Sequence, residues 1–204
     1  MQQLLTNTPT EREFARALDA EIRGCGAQDL GFDTIVASGP NGAIPHHTPG
    51  DRRIESGDLV IVDVGAKVDG YRSDMTRTFC VGELSARQQR HYDVVAAAQQ
   101  AGVDAMIVGA GTAEVDAAAR AVIAEAGWAD SFTHGTGHGV GLDIHELPRV
   151  AATADEVYEL GTVATVEPGV YLRGEAGVRV EDTCVATETG AQRLTSYPKD
   201  PQVL

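Results

Sequence analysis

Apolar positions along the 204-residue chain follow a helical period near its start and again in its middle, and strand patterns between and after those stretches. Phe14, Ala17, Leu18 and Ile22 recur at spacings of three and four, which predicts one amphipathic helix. Thr8-Pro9-Thr10-Glu11 supplies its start, with Thr8 as N-cap, Pro9 at the first helical position and Glu11 closing a capping box. Gly24 and Gly26 end it. "FDTIVASG" then predicts a strand, followed by the turn-rich segment "PNGAIPHHTPGDRRIESG". Two further strands, "LVIVDVGAKV" and "YRSDMTRTFCV", are joined by Asp69-Gly70. Ser85 caps a helix running to about Ile107, and Thr112 caps another to about Ala126. Beyond "HGTGHGVGLDIHE" the chain reads as strand: "TVATVE", "GVYL" and "GVRVEDTCVAT", then a turn at Gly190. There is no repeat, low-complexity tract or linker. The pattern predicts one α+β domain of antiparallel hairpins, not an alternating parallel sheet.

Composition narrows the function classes. At 43% hydrophobic residues the chain can bury a core, and no apolar run approaches the ~18 residues of a membrane span. "MQQLLTNTPTEREF" lacks the basic start and apolar centre of a signal peptide. Cys25, Cys80 and Cys184 are few and scattered, so no disulfide framework is expected and a reducing cytoplasm suits the chain. A formal net charge of −14 argues against nucleic acid and anionic membrane as partners.

Four acids lie inside apolar strands, where a carboxylate is costly unless it is paired or binds a metal. Asp63 stands in "VIVDVG", Asp74 in "YRSDMTRT", Glu167 at the end of "TVATVE" and Glu181 in "GVRVEDT". If Asp69-Gly70 is a two-residue type I′ turn, Val68 faces Tyr71 and, counting outward, Gly65 faces Asp74. Strand alternation then puts Asp63 on the face of Gly65, a diagonal neighbour of Asp74, with open space at the glycine. Two carboxylates so placed repel one another unless a cation sits between them. The histidines point the same way: half of the 6 in the chain, His134, His138 and His145, fall within "HGTGHGVGLDIHE". Several carboxylates with one or two imidazoles suit Mn, Co, Fe or Zn, and a carboxylate-bridged pair of metals activates water against amides or phosphates.

"HGTGHGVGLDIHE", with "PNGAIPHH", "DVGAKVDGYRSDMTRT", "VEPGVYL" and "GVRVEDT" around it in order, resembles the proline peptidases of metallopeptidase family M24, the Xaa-Pro aminopeptidases and Xaa-Pro dipeptidases (prolidases). The resemblance runs from about Phe32 to Thr195. It implies the pita-bread fold, a curved antiparallel sheet backed by helices. It also implies two divalent ions, manganese first, then cobalt, zinc or iron. Carried over by position, Asp63, Asp74, His138, Glu167 and Glu181 are its metal ligands. Asp74 and Glu181 bridge both ions, Asp63 holds one, and His138 and Glu167 hold the other. Glu167 is the implied general base. His46, favoured over His47 by the register from "IESGDLV", and His145 are the implied substrate-contacting and catalytic histidines. The glycines of the stretch are expected to let the loop approach the ions. Arg179 is expected to pair with a ligand carboxylate such as Asp63, and His134 to make a structural hydrogen bond.

The implied activity is hydrolysis of the N-terminal Xaa-Pro bond of peptides or dipeptides, and a homodimer is compatible with it. Residues 1–204 read as the catalytic domain, without the N-terminal domain common in such enzymes. "MQQLLTN" stands where an earlier helix of the domain is expected, so that the fold should lack its first helix. The alternatives are a methionine-aminopeptidase-like enzyme, whose signature is shorter around the second histidine, and a catalytically inactive peptide-binding pita-bread domain, which would have lost ligands. This chain keeps all five.

Overall fold

The computed structural model describes Leu5 and residues 7–203, so the stretch "MQQLLTN" lies almost wholly outside the described residues. Helix α1 (Glu11–Gly24) begins later than the sequence suggests. Thr10 is its N-cap and forms the capping box with Glu13, while Thr8 sits outside at φ 51°. Glu11 closes no box, because its carboxylate turns inward to the 38–50 segment. Strands β1 (Asp29–Leu30), β2 (Ile35–Ser38) and a short 3-10 turn (Gly39–Ala43) follow.

Next come β3 (Leu59–Val64), β4 (Ala66–Val68), β5 (Tyr71–Arg72) and β6 (Met75–Cys80). Asp69 and Gly70 both take positive φ, 51° and 88°, the conformation a type I′ turn requires. Val68 pairs with Tyr71, and the same register continues through Asp63 opposite Thr76 to Leu59 opposite Cys80. The long hairpin nevertheless divides at Gly65. Its outer part joins β1 and its inner part joins β2. Gly65 does not leave open space, as expected from the sequence. A Cβ there would strike the Ser73 carbonyl and come 2.6 Å from Phe32 Cε1, so the glycine is needed for close packing.

Helix α2 (Ala86–Ala105) has a Ser85/Gln88 capping box, and α3 (Thr112–Glu125) follows it with Gly111 at the N-cap. Thr112 is therefore the first helical residue, and its hydroxyl donates to the Glu156 carbonyl. The remaining strands are β7 (Gly137–Gly139), β8 (Glu146–Val150), β9 (Val163–Val166), β10 (Gly169–Leu172), β11 (Ala176–Arg179), β12 (Asp182–Thr187), β13 (Gly190–Arg193) and β14 (Gln202–Val203). "GVRVEDT" is thus two strands rather than one, broken at Val180-Glu181, where the Glu181 N–H donates to the Thr76 carbonyl.

Sheet order is β13-β12-β9-β7-β8 in one sheet and β14-β6-β3-β2 in another, with β10-β11 as a ribbon. Tyr92, Val95 and Ala98 of α2 pack on Val170, Val178 and Val180, while Val103 and Val115 pack on Val150, Ala164 and Val166. From α1, Phe14 and Ala15 cover Val36, Val60, Val62 and Phe79. Each fully buried Val or Phe side chain among these contributes roughly 1.5 to 3 kcal/mol. Alternation along β3 then turns Ile61 and Asp63 to the face opposite Val60 and Val62. Sheets backed by helices on apolar faces leave the other face for chemistry. Among the described residues no helix is long and apolar enough to cross a membrane.

Candidate metal centre

Five acidic or imidazole side chains reach one place from separate segments: Asp63 on β3, Asp74 just before β6, His138 on β7, Glu167 just after β9, and Glu181 between β11 and β12. Ligand atoms of Asp63, Asp74 and Glu181 all lie within 4.8 Å of one another. His138 Nε2 stands 3.1 Å from Glu167 Oε1 and 3.7 Å from Asp74 Oδ2. The other ring nitrogen, Nδ1, lies 3.0 Å from the Gly139 carbonyl. With a cation between His138 and the acids, donation from Nδ1 to that carbonyl would leave Nε2 the free lone pair that metal-binding imidazoles need; without one, Nε2–H donates to Glu167.

The electrostatics are severe. Asp63, Asp74 and Glu181 are 7%, 5% and 1% exposed. Burial, then the charges of Asp63 and Glu167, pushes Asp74 well above the usual carboxylate range. Glu181 is pushed well up by burial and by Asp74, Glu167 and Asp63. Burial also raises Asp63, although Arg179 opposes it. Glu167 is the exception: burial works against its charge, but the hydrogen bond and charge of His138 outweigh it and hold the carboxyl down to about 2. Two buried oxygens, Asp63 Oδ1 and Glu181 Oε1, have no hydrogen-bond partner. Orphaned carboxylate oxygens at that depth cost several kcal/mol unless a cation meets them. The donor set fits a divalent ion of the hard or borderline kind.

Residues 1–188 match metallopeptidase family M24. The chain belongs to that family. The Xaa-Pro dipeptidase of Pyrococcus furiosus is 44% identical over 196 residues, which are 96% of this chain and 56% of that protein. Among solved structures, the Xaa-Pro dipeptidase from Bacillus anthracis superposes with a TM-score of 0.95 at 43% identity, over 97% of this chain and 56% of that one. The X-Pro aminopeptidase from Thermotoga maritima gives 0.94 at 37% identity, again over 97% and 56%. The chain therefore spans little more than half the length of these relatives. Its fold is the pita-bread fold of the M24 family, which uses divalent metals.

In this M24 chain the acids open into a cavity of about 880 Å³, whose wall includes His46, His47, His134, His145 and two arginines, Arg149 and Arg179. The volume suits a small peptide. His145 is exposed, with its ring 4.3 Å from that of His138, edge to face. His134 is held from both sides, Nδ1 to the Gly135 carbonyl at 2.7 Å and Nε2 to the Tyr171 hydroxyl at 2.8 Å. Arg179 joins the parts. Its Nη2 donates to Asp63 Oδ2 at 2.7 Å, Nη1 to the Tyr171 hydroxyl at 2.9 Å and to the Pro45 carbonyl at 3.2 Å, and Nε to Thr76 at 3.1 Å.

Two glycines of the histidine stretch are needed for close strand packing. A Cβ at Gly137 would collide with the Thr165 carbonyl, and one at Gly139 with the Leu147 carbonyl. They let β7 fit between β9 and β8. Sequence reasoning also missed Thr76, which donates to Glu181 Oε2 at 2.7 Å, and Thr165, which donates to Glu167 Oε1 at 3.0 Å. Both lie two residues from a site acid, on its face of the strand, so alternation carried the signal. Arg149, paired with His138 across β7 and β8, had no comparable signal.

Proposed function

We propose that this chain is the catalytic part of a dinuclear-metal exopeptidase that hydrolyses the Xaa-Pro bond at the N-terminus of short peptides. The observation that carries the reading is the pair of buried, partnerless oxygens on Asp63 and Glu181 within the three-carboxylate cluster of Asp63, Asp74 and Glu181, beside His138 and Glu167. Asp63 would hold one ion, His138 and Glu167 the other, and Asp74 and Glu181 both. Manganese fits this oxygen-rich set first, ahead of cobalt, zinc or iron. When bound, the ions supply the charge that polarises the scissile carbonyl and makes water nucleophilic at neutral pH.

The chain's own residues do the rest. Glu167 accepts the proton of the attacking water and delivers it to the leaving proline nitrogen. His145, exposed beside His138, donates to the oxygen of the carbonyl as charge develops there. His46 lines the same cavity and contacts the substrate. Arg179 is engaged by Asp63, Tyr171, Thr76 and Pro45, whereas Arg149 is exposed on the wall and suits the C-terminal carboxylate of a dipeptide. The names of the relatives from Pyrococcus furiosus and Bacillus anthracis support proline in the second position. The free thiols of Cys25, Cys80 and Cys184 suit a reducing cytoplasm.

Elemental analysis after manganese loading, coupled to assays of Xaa-Pro and Xaa-Pro-Yaa peptides, tests the reading. Expected are about two ions per chain and faster cleavage of the dipeptide, a preference lost in Arg149→Ala. No metal uptake at saturating manganese or cobalt, with no cleavage of either peptide, would overturn it.

A further inference from the structure

Glu11 is a wholly buried acid that the metal centre does not use. Its Oε1 accepts from the Ser38 N–H at 2.8 Å, the Ser38 hydroxyl at 2.7 Å and the Asn41 amide at 3.0 Å. Its Oε2 lies 3.2 Å from the same Asn41 amide, 2.7 Å from His47 Nε2 and 3.1 Å from the Gly50 nitrogen. Every donor comes from residues 38–50, the segment that carries His46. A lone buried carboxylate would be prohibitive, but one with five donors and the N-terminal end of α1 behind it is well accommodated. Burial alone would raise its pKa, yet the donors of Ser38, His47 and Asn41 leave it lowered.

The opposite side of the same segment is also held. The Pro45 carbonyl accepts from Arg179, and Gly42 lies so close to β11 that a Cβ there would come 2.8 Å from the Gly177 nitrogen. His46 thus stands between Pro45, tied to the arginine that grips Asp63, and His47, tied to Glu11. These ties fix the backbone on both sides of His46 while its ring stays in the cavity wall.

We propose that Glu11, acting through His47, is a positioning residue that sets where His46 presents its imidazole to the substrate. The proposal rests on the peptidase reading for the role of His46, and it adds a residue outside the cavity to the machinery. Positioning of this kind matters because a displacement of about 1 Å can cost roughly a hundredfold in rate.

The test is a double-mutant cycle on the metal-loaded full chain. Glu11→Gln turns an amide donor toward either the Ser38 donors or the His47 and Gly50 donors. His47→Ala removes the tie beside His46 at a part-exposed site, so it serves if Glu11→Gln does not fold. Each variant should lower kcat by roughly ten- to a hundredfold with metal content unchanged, and His47→Gln, which keeps a donor, should restore most of it. In a His46→Ala background neither change should lower kcat further, since His46 is the group through which both act. Amide exchange of residues 39–50 should quicken in both. A loss of the same factor with and without His46, or unchanged kcat in both single variants, would refute the proposal. If the unsubstituted chain cleaves no Xaa-Pro peptide, the peptidase reading fails instead. The positioning claim then stands or falls on amide exchange, and unchanged exchange in both variants overturns it.

Discussion

Asp63 and Asp74 reach the candidate metal centre by a different route from His138, Glu167 and Glu181. The first two sit on one hairpin, whose Asp69-Gly70 turn sets the register that places them. The other three are brought in by distant partners. His138 is anchored through Thr165, 27 residues away, and Glu181 through Thr76, 105 residues away. The two groups are then locked to one another by Arg179 on Asp63 and by Thr183 on the Asp74 carbonyl. One half of the centre is therefore local chemistry and the other is assembled by the core. The local half should survive damage elsewhere, and the assembled half should not.

The largest effect expected on this comparison is at Asp74. Asp74→Ala should lower kcat by about a thousandfold or more, the several kcal/mol that a lost metal site is worth. The fold should change little, because the turn and not the carboxylate sets the hairpin register. Near-normal turnover of this variant would show that Asp74 is no shared ligand. His145→Ala comes next and should cost roughly a hundredfold in kcat with metal content intact. His134→Ala, in the same stretch, should act on stability by about 1 to 3 kcal/mol, since it leaves the Tyr171 hydroxyl without its acceptor. Comparing kcat, metal content and melting temperature for the two reverses the assignment if His134→Ala loses turnover and His145→Ala merely melts earlier.

Gly65→Ala probes the junction between the two parts of the hairpin. Forcing a methyl between Ser73 and Phe32 should destabilise the chain by about 1 to 3 kcal/mol and weaken metal uptake. Denaturant midpoints and metal titration read both, and unchanged values would mean the hairpin yields without cost. The smallest effect concerns the scaffold of the assembled half. Burial lowers the pKa of His91, despite its hydrogen bond to the Val170 carbonyl. Its neutral form is the folded one, so the unfolded chain takes up the proton first, and stability should fall as pH drops below about 6.5. The melting temperature of His91→Gln should lose that component between pH 7 and 5. An identical pH dependence in both chains would remove His91 from the account.

Much of this was legible before any fold was in hand. The hairpin register, Asp63 beside Asp74 and the Ser85 cap follow from local rules that act within a few residues. The start of α1 was misjudged by two residues because Glu11 satisfies a capping pattern with Thr8 yet finds better donors in a segment beyond β2. The glycine roles depend on distant residues in the same way. At Gly65, Gly137 and Gly139 the sequence marks an absent side chain but not the neighbour that requires its absence.

The sequence by itself determined the turn, the alternation and the residue types: that Asp63 and Asp74 share a face, and that a donor set of this kind favours divalent metal. These are properties of covalent geometry and of single side chains, and they hold whatever the rest of the chain does. Only the tertiary structure decided that His47 belongs to Glu11, that Arg179 also reaches Tyr171 and Pro45, and that Arg149 faces the cavity. Those contacts join segments separated by as many as 134 residues. Their free energy comes from burial and pairing, which exist only once the helices have covered the sheets and shut out water.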